Sequence, residues 1–433
     1  MDGWFGSSVL QHSHGLTPPP PAARREYDGF KEQYGDLFTI PIPFNLTPPF
    51  TFLTTRAGYQ SVLSLSPDVG RNGPIIDRVP ALAHWTPRSD PSSEHLQTLL
   101  LTGRRYIGAR LRERRGDDLQ DAIRSVVKRH VADWGDRVDL AAGLVGAIHE
   151  ASARLLLGDE LWDDLGPDAP QLVRTVVNAV DAARAATALS PAARLLPEYR
   201  AVRELGRRLL ALATAPDAGR HPFVQGLKKL ELDGQPFPDE DVAWMMFFAV
   251  WNATLYTGTY GLWSYLDLLT HEPELAAVQD PSDERADVIT GGIIETMRMN
   301  PISWQLRSLA EAVEVEVAGT RYQVPQGHYL SVFSHGLNRD GAQYPDPLAW
   351  KPRRYIEGEP APLLFGAGPF NCVAQRWVKL MLATIHAELL DTLEVTLEAP
   401  LPKRVSRVHL LYPTSPVWAS VRRRPRALLA DPS

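Results

Sequence analysis

The sequence predicts a mainly helical fold with small β-sheets at one edge, on three observations. From about Glu94 to Arg298, apolar residues recur at i, i+3 and i+4 in segments such as LQDAIRSVVKRHVADW and YRAVRELGRRLLALAT, the period of helices with one buried face. Short β-prone runs punctuated by proline, LFTIPIPF and FTFLTT, fall between Arg25 and about Ser66, and further runs follow at VEVEVAGTRYQVPQGHYLSVFS and SRVHLLYPTSPVWASVRR. The 433 residues contain no Gly/Ser linker, low-complexity block or internal repeat that would divide them. One large domain over 25–427 is therefore expected, behind a proline-rich flexible segment over 1–24 and ahead of a short tail over 428–433. Within the first segment, Pro18 to Pro21 cannot be helical and form a stiff lead-in.

Composition narrows the function. Hydrophobic residues make up 44% and charged residues 22% of the chain, the balance of a globular protein with a sizeable core. The net charge of −6, from 45 basic and 51 acidic residues, is too mild and too well mixed to call for nucleic acid. The basic run Arg422, Arg423, Arg424 and Arg426 is expected to be solvated. No stretch reaches the roughly 18 uninterrupted apolar residues of a membrane span, and MDGWFGSSVLQHSHGL lacks the apolar core of a signal peptide. A cytoplasmic location without membrane contact is the expectation. The single cysteine, Cys372, excludes an internal disulfide, a cysteine-based zinc site and an iron–sulfur cluster together.

That cysteine sits in the run Phe365-Gly366-Ala367-Gly368-Pro369-Phe370-Asn371-Cys372-Val373-Ala374, ahead of the apolar helical run RWVKLMLATIHAELL. A thiolate that ligates a metal must be held as an anion in apolar surroundings. Backbone N–H groups of a tight glycine-containing turn do this without a competing proton donor, and a following helix N-terminus favours the charge further. Phe365 would pack beside the sulfur and keep water away. Two more motifs precede the loop. Glu295-Thr296-Met297-Arg298 lies 77 residues before Cys372, with acid and base at i and i+3 on one helix face. Tyr344-Pro345-Asp346-Pro347 is followed by Trp350-Lys351-Pro352-Arg353-Arg354-Tyr355.

Together these motifs resemble the cytochrome P450 superfamily: its Phe-Gly-x-Gly-x-Arg/His-x-Cys-x-Gly haem loop, its Glu-x-x-Arg helix and its Phe-x-Asp-Pro…Phe-x-Pro-Glu-Arg-Phe segment. The resemblance spans Glu295 to Ala374 and is much weaker before residue 240. It implies the P450 fold and haem b (iron protoporphyrin IX), with Cys372 as the axial iron ligand and Phe365, Gly366 and Gly368 shaping its loop. It also implies a structural triad of Glu295, Arg298 and Arg354. Arg307 stands where the family places an arginine for a haem propionate. His95 resembles the histidine of a His-x-x-x-Arg helix, although Leu99 occupies the arginine position. Phe370 stands where the family has a cation, and Ala374 replaces a glycine. Arg104 and Arg105 are candidate substitutes for the missing cations, with a solvated helix face the more ordinary role for both.

The largest departure falls in the long helix Asp241 to Thr270, where the family carries an acid–alcohol pair that delivers protons to dioxygen by general acid catalysis. Here the segment reads Phe248-Ala249-Val250-Trp251-Asn252-Ala253-Thr254-Leu255-Tyr256-Thr257-Gly258. Counting back from His271-Glu272-Pro273 puts Thr257 at the alcohol and Tyr256 at the acid. Aligning Trp251 and Trp263 with the prostacyclin-synthase and bile-acid-hydroxylase branch puts Tyr256 at the alcohol and Leu255 at the acid. Both registers remain open, and neither contains a carboxylate. Thr257, Tyr256 and Asn252 are the candidate catalytic residues. The absence of the acid favours an enzyme of specialised metabolism that cleaves a weak O–O or N–O bond already present in a small organic substrate, followed by rearrangement, dehydration or cyclisation. The alternatives are a monooxygenase dependent on dioxygen and NAD(P)H, with ferredoxin and reductase as electron donors, and a non-catalytic haem sensor.

Overall fold

The computed structural model describes Gly35 and residues 37–40, 49–71, 93–113, 116–178, 196–232, 234–279, 282–301, 306–317, 319–332, 334–407 and 410–425. The segments 1–24 and 428–433 lie outside the described residues, as does Arg426. The helices are α1 (Arg56–Ser64), α2 (Ser93–Glu113), α3 (Gly116–Ala132), α4 (Leu140–Leu157), α5 (Asp159–Asp164), α6 (Ala169–Asn178), α7 (Pro197–Thr214), α8 (Pro222–Lys228), α9 (Asp239–Thr270), α10 (Glu272–Gln279), α11 (Arg285–Met299), α12 (Ser334–Leu337) and α13 (Gln375–Thr392). The strands are β1 (Leu37–Ile40), β2 (Phe50–Leu53), β3 (Gly70–Arg71), β4 (Arg137–Asp139), β5 (Glu231–Leu232), β6 (Gln235–Pro236), β7 (Arg307–Leu309), β8 (Val313–Val317), β9 (Thr320–Val324), β10 (Tyr329–Val332), β11 (Leu393–Leu397), β12 (Arg404–Arg407), β13 (Leu410–Pro413) and β14 (Trp418–Arg423). The body is thus mostly helical, with small sheets, as the residue periodicity predicts. Strands β4 to β6 are not legible in the sequence, because two or three residues within a helical stretch carry no alternation of their own.

Local chemistry sets the helix ends. Asp139 caps α4 by accepting a hydrogen bond from the Ala141 N–H, and Pro197 opens α7, where its missing N–H costs nothing. Asp239, Glu240 and Asp241 in the first turn of α9 complement the positive end of that helix. Along its length α9 is buried on nearly every side, which is why its sequence is apolar all round rather than amphipathic.

Helix α9 belongs to both halves of the hydrophobic core. Its first half packs with α6, α7 and α8, and its second half with α3, α4, α11 and α13. Helix α4 is apolar and long enough to cross a membrane, yet most of its side chains are buried and it lies along α9. The approach is close at Gly258, where a Cβ would collide with the His149 ring. At the edge, a five-stranded sheet runs in the order β1-β2-β10-β7-β3, with β10 parallel to β2 and the other pairs antiparallel. The hairpin β8–β9 turns Val313, Val315 and Val317 inward, the period-two pattern of a half-buried strand.

Two buried histidines grip α9 from neighbouring helices. His386 on α13 donates from Nε2 to the Gly261 carbonyl at 3.0 Å, and His149 on α4 faces the Thr254 carbonyl. Burial pushes both rings down to about 4. In the unfolded chain each would titrate near 6.5, so between roughly pH 6.5 and 4 the unfolded state takes up protons that the native state refuses. Stability should therefore fall on acidification through that window, by up to about 1.4 kcal/mol per pH unit for each ring, and be unaffected by them above it. Thermal melts of the protein and of His149→Gln and His386→Gln across pH 4 to 8 check this. A difference between parent and variants that stays constant with pH would contradict it.

Candidate functional site

The only cysteine lies in a turn that its own residues build. Gly366 and Gly368 take left-handed backbone at φ 68° and 60°, and a Cβ on Gly368 would strike the Leu63 carbonyl at the end of α1. The Cys372 N–H donates to the Phe365 carbonyl at 2.7 Å, which closes the turn, and α13 begins three residues later. Phe365 is half-buried and packs against the core beneath α13. Tyr59 of α1 presses on the same turn, with its hydroxyl against the Gly366 backbone; burial pushes that phenol up to about 12. Burial also raises the Cys372 thiol, while the Ala374 backbone and the Arg104 guanidinium favour its anion.

Behind the turn lies a buried ion network. The Glu295 carboxylate takes two hydrogen bonds from Arg298, both 2.8 Å, and one from Arg354 Nε at 2.9 Å. All three side chains are 0–1% exposed, so the charges have no recourse to water. Tyr355 donates to Glu295 at 2.7 Å, and the Lys351 N–H at 3.1 Å fills a further lone pair. The network reaches the cysteine turn through one residue. Arg298 Nη1 donates to the Asn338 carbonyl at 2.6 Å, and the Asn338 side chain pairs with both the N–H (3.0 Å) and the C=O (3.3 Å) of Leu363.

Cations gather on the other side of the cysteine. Arg307, buried on β7, lies with its Cζ 4.4 Å from the centre of the Phe370 ring and donates from Nη1 to the Leu306 carbonyl at 2.8 Å. Arg104 of α2 donates to Asn371 Oδ1 at 2.5 Å. Burial lowers Arg307 to about 10; the Tyr59 phenol offsets part of that, and the nearby like charge of Arg104 adds to it. His95 goes elsewhere: its Nε2 lies 2.9 Å from Asp241 Oδ2 at the start of α9. On α2 it is Arg104 that reaches the loop, while Arg105 is exposed.

Between Asp241 and Leu268 on α9, Phe248, Trp251, Asn252, Ala253 and Tyr256 keep more accessible surface than their neighbours. Phe248, Trp251, Asn252 and Tyr256 share one face of the helix, with Ala253 turned away from it. Tyr256 is deep in the protein and within electrostatic reach of Cys372, and burial, with that sulfur's charge, pushes its phenol up to about 12. A side chain enclosed by protein that still has accessible surface lines an internal space. Asn252, one turn earlier, donates from Nδ2 to the Phe248 carbonyl at 2.9 Å, which turns its Oδ1 away from the helix backbone. Thr257 is buried against α4 instead, with Oγ1 2.6 Å from the Ala253 carbonyl and 3.0 Å from Ser152 Oγ. Of the two registers, Tyr256 rather than Thr257 is on the cysteine side.

These residues fit a haem. A buried thiol with the Ala374 backbone and the Arg104 guanidinium beside it, the enclosed Tyr256 ring within electrostatic reach, and two guanidiniums close enough to oppose each other match an iron ligand, a flat apolar ring and anionic carboxylates. Cys372 could hold the iron, and Arg307 with Arg104 the carboxylates.

Fold and site together define a haem-thiolate protein. The cytochrome P450 family model matches residues 288–417. The chain is 26% identical over 226 residues to flavonoid 3'-monooxygenase CYP75B3 of Oryza sativa subsp. japonica, covering 46% of this chain and 41% of that protein. It is 26% identical over 195 residues to sterol 14-alpha demethylase of Aspergillus flavus, covering 36% of this chain and 39% of that protein. The chain therefore spans less than half the length of these curated relatives. The solved structure of CYP108D1 from Novosphingobium aromaticivorans superposes with a TM-score of 0.68 at 17% identity, over 96% of this chain and 100% of that one. Residues 288–417 thus match the cytochrome P450 family, whose members bind haem b through a cysteine thiolate, and the fold as a whole is that of a solved P450 structure.

Two outcomes follow for this site. Cys372→Ser should abolish the red-shifted Soret band of the ferrous–CO complex, since only thiolate ligation gives it; an unchanged band would rule Cys372 out as the ligand. Glu295→Ala should leave Arg298 buried without a carboxylate, a loss of roughly 3–5 kcal/mol, and holo-protein yield should collapse. Full haem content with unaltered thermal stability in that variant would reduce the network to an incidental contact.

Proposed function

We propose that this haem-thiolate enzyme acts on a small organic substrate that already carries a weak O–O or N–O bond, and that it cleaves this bond and then rearranges, dehydrates or cyclises the product. One observation carries the proposal: the residues of α9 that keep the most accessible surface in the segment facing the cysteine, Phe248, Trp251, Asn252, Ala253 and Tyr256, include no carboxylate. Dioxygen activation needs protons relayed to the reacting oxygen, and an acid on that face is the usual source. When bound, haem b supplies an iron centre whose thiolate donation weakens such a bond without outside electrons.

The chain's own groups then have limited work. Cys372 donates charge from the turn. Tyr256, pushed up to about 12, keeps its proton at neutral pH and only shapes the cavity. Asn252 Oδ1 offers an acceptor one turn away, and Phe248 and Trp251 exclude water from the reacting atoms. Cytoplasmic location is part of the same proposal, supported by the burial of α4 within the core.

A second reading, a monooxygenase served by ferredoxin and reductase, is favoured by the likeness to flavonoid 3'-monooxygenase. Turnover distinguishes the two. On the preferred reading the reaction proceeds anaerobically, consumes no NAD(P)H, and survives Tyr256→Phe and Thr257→Val with most of its rate. On the second, product requires dioxygen and a donor, and Tyr256→Phe uncouples reductant consumption from product by something like 10²–10⁴-fold. Strict dependence on dioxygen and an electron donor would overturn the proposal.

A further inference from the structure

Phe370 stands at the end of the short 3-10 turn Gly368–Phe370, two residues before the cysteine. The buried Arg307 guanidinium lies over its ring, 4.4 Å from Cζ to the ring centre, within the range of a cation–π contact. Two features fix this geometry from either side. The turn cannot slide, because Gly368 abuts the Leu63 carbonyl and the Cys372 N–H is tied to Phe365. Arg307 cannot swing freely, because its backbone sits in β7 between β10 and β3 and its Nη1 is tied to the Leu306 carbonyl. A second guanidinium, Arg104, is bound to Asn371, the residue next to Phe370.

We propose that Phe370 is a positioning residue for the cofactor: its ring is a shelf on which the Arg307 cation is held and aimed at a carboxylate of the haem. The aromatic face attracts the guanidinium through its quadrupole and adds no charge of its own. A third cation at this point would instead lie beside Arg307 and Arg104 and push Arg307 off its place. The shelf couples the loop that carries the iron ligand to the strand that carries the cation, so the two ends of the cofactor are registered to one another before it binds. The inference rests on Cys372 ligating the iron and on Arg307 facing the haem carboxylates.

Haem retention tests it, measured as transfer from the ferric protein to excess apomyoglobin. Phe370→Leu keeps apolar bulk without the π face, and should release haem roughly tenfold faster, while Phe370→Trp should hold it as the parent does. Phe370→Arg should also release it faster, although it adds a cation. In an Arg307→Gln background, Phe370→Leu should have no further effect, since the two changes remove one interaction. Slower release from Phe370→Arg overturns the proposal, as does an unchanged rate in Phe370→Leu or an equal effect of Leu in both backgrounds. If Phe370→Leu accumulates without haem, the order of Phe370→Trp and Phe370→Arg decides in the same way. The ferrous–CO band separates the two levels: a parent protein without a thiolate-type band fails the reading beneath, whereas variants that keep the band while breaking the expected order fail only the shelf.

Discussion

One carboxylate, Glu295, holds the architecture of the site together. Two guanidiniums, a phenol and a backbone N–H converge on it in a place that water does not reach. A charge so enclosed is tolerated only when every lone pair is met, so the surrounding segments have little freedom about where they lie. Helix α11 supplies Glu295 and Arg298, and the loop before Glu359 supplies Lys351, Arg354 and Tyr355. From Arg298 the constraint passes through Asn338 to Leu363, two residues short of Phe365, which closes the cysteine turn. The network does no chemistry; it decides where a thiolate can be presented.

What was legible in the sequence was what is local. The cysteine turn could be read because its conformation is written in a few consecutive residues, Gly366 and Gly368 among them, and Glu295 with Arg298 because i and i+3 meet on any helix. Arg354 followed from a segment pattern. The residues that a sequence leaves open are those whose orientation depends on distant partners. His95 lies on the expected helix, but which way it points is set by Asp241, 146 residues away. Arg104 was legible in principle: it sits beside the stripe Leu100, Gly103, Gly108 and Leu111 that α2 buries, while Arg105 does not. The choice between Tyr256 and Thr257 turned on a single residue of register along α9, about 100° of rotation, and required the position of α4 with its Ser152.

Two of the departures from the family pattern, at 370 and in the 252–257 segment, are of one kind. At 370 a cation gives way to a benzene ring, and in the 252–257 segment an acid gives way to a phenol or an alkyl group. Each removes a full charge from the neighbourhood of the thiolate and puts a polarisable, weakly hydrated group there.

The pairing of the strands bears on how the protein is made. Strand β2 lies parallel to β10, and β4 is completed by β14, so Phe50 pairs with Tyr329 and Asp139 with Trp418. The helices between them are rich in short-range contacts and can form as the chain leaves the ribosome, but both sheets wait for partners that emerge some 280 residues later. The cysteine turn, which rests on α1 through Leu63, waits with them. The sheets and the cysteine turn thus each join segments far apart in the chain, whereas most helix contacts are made nearer in sequence.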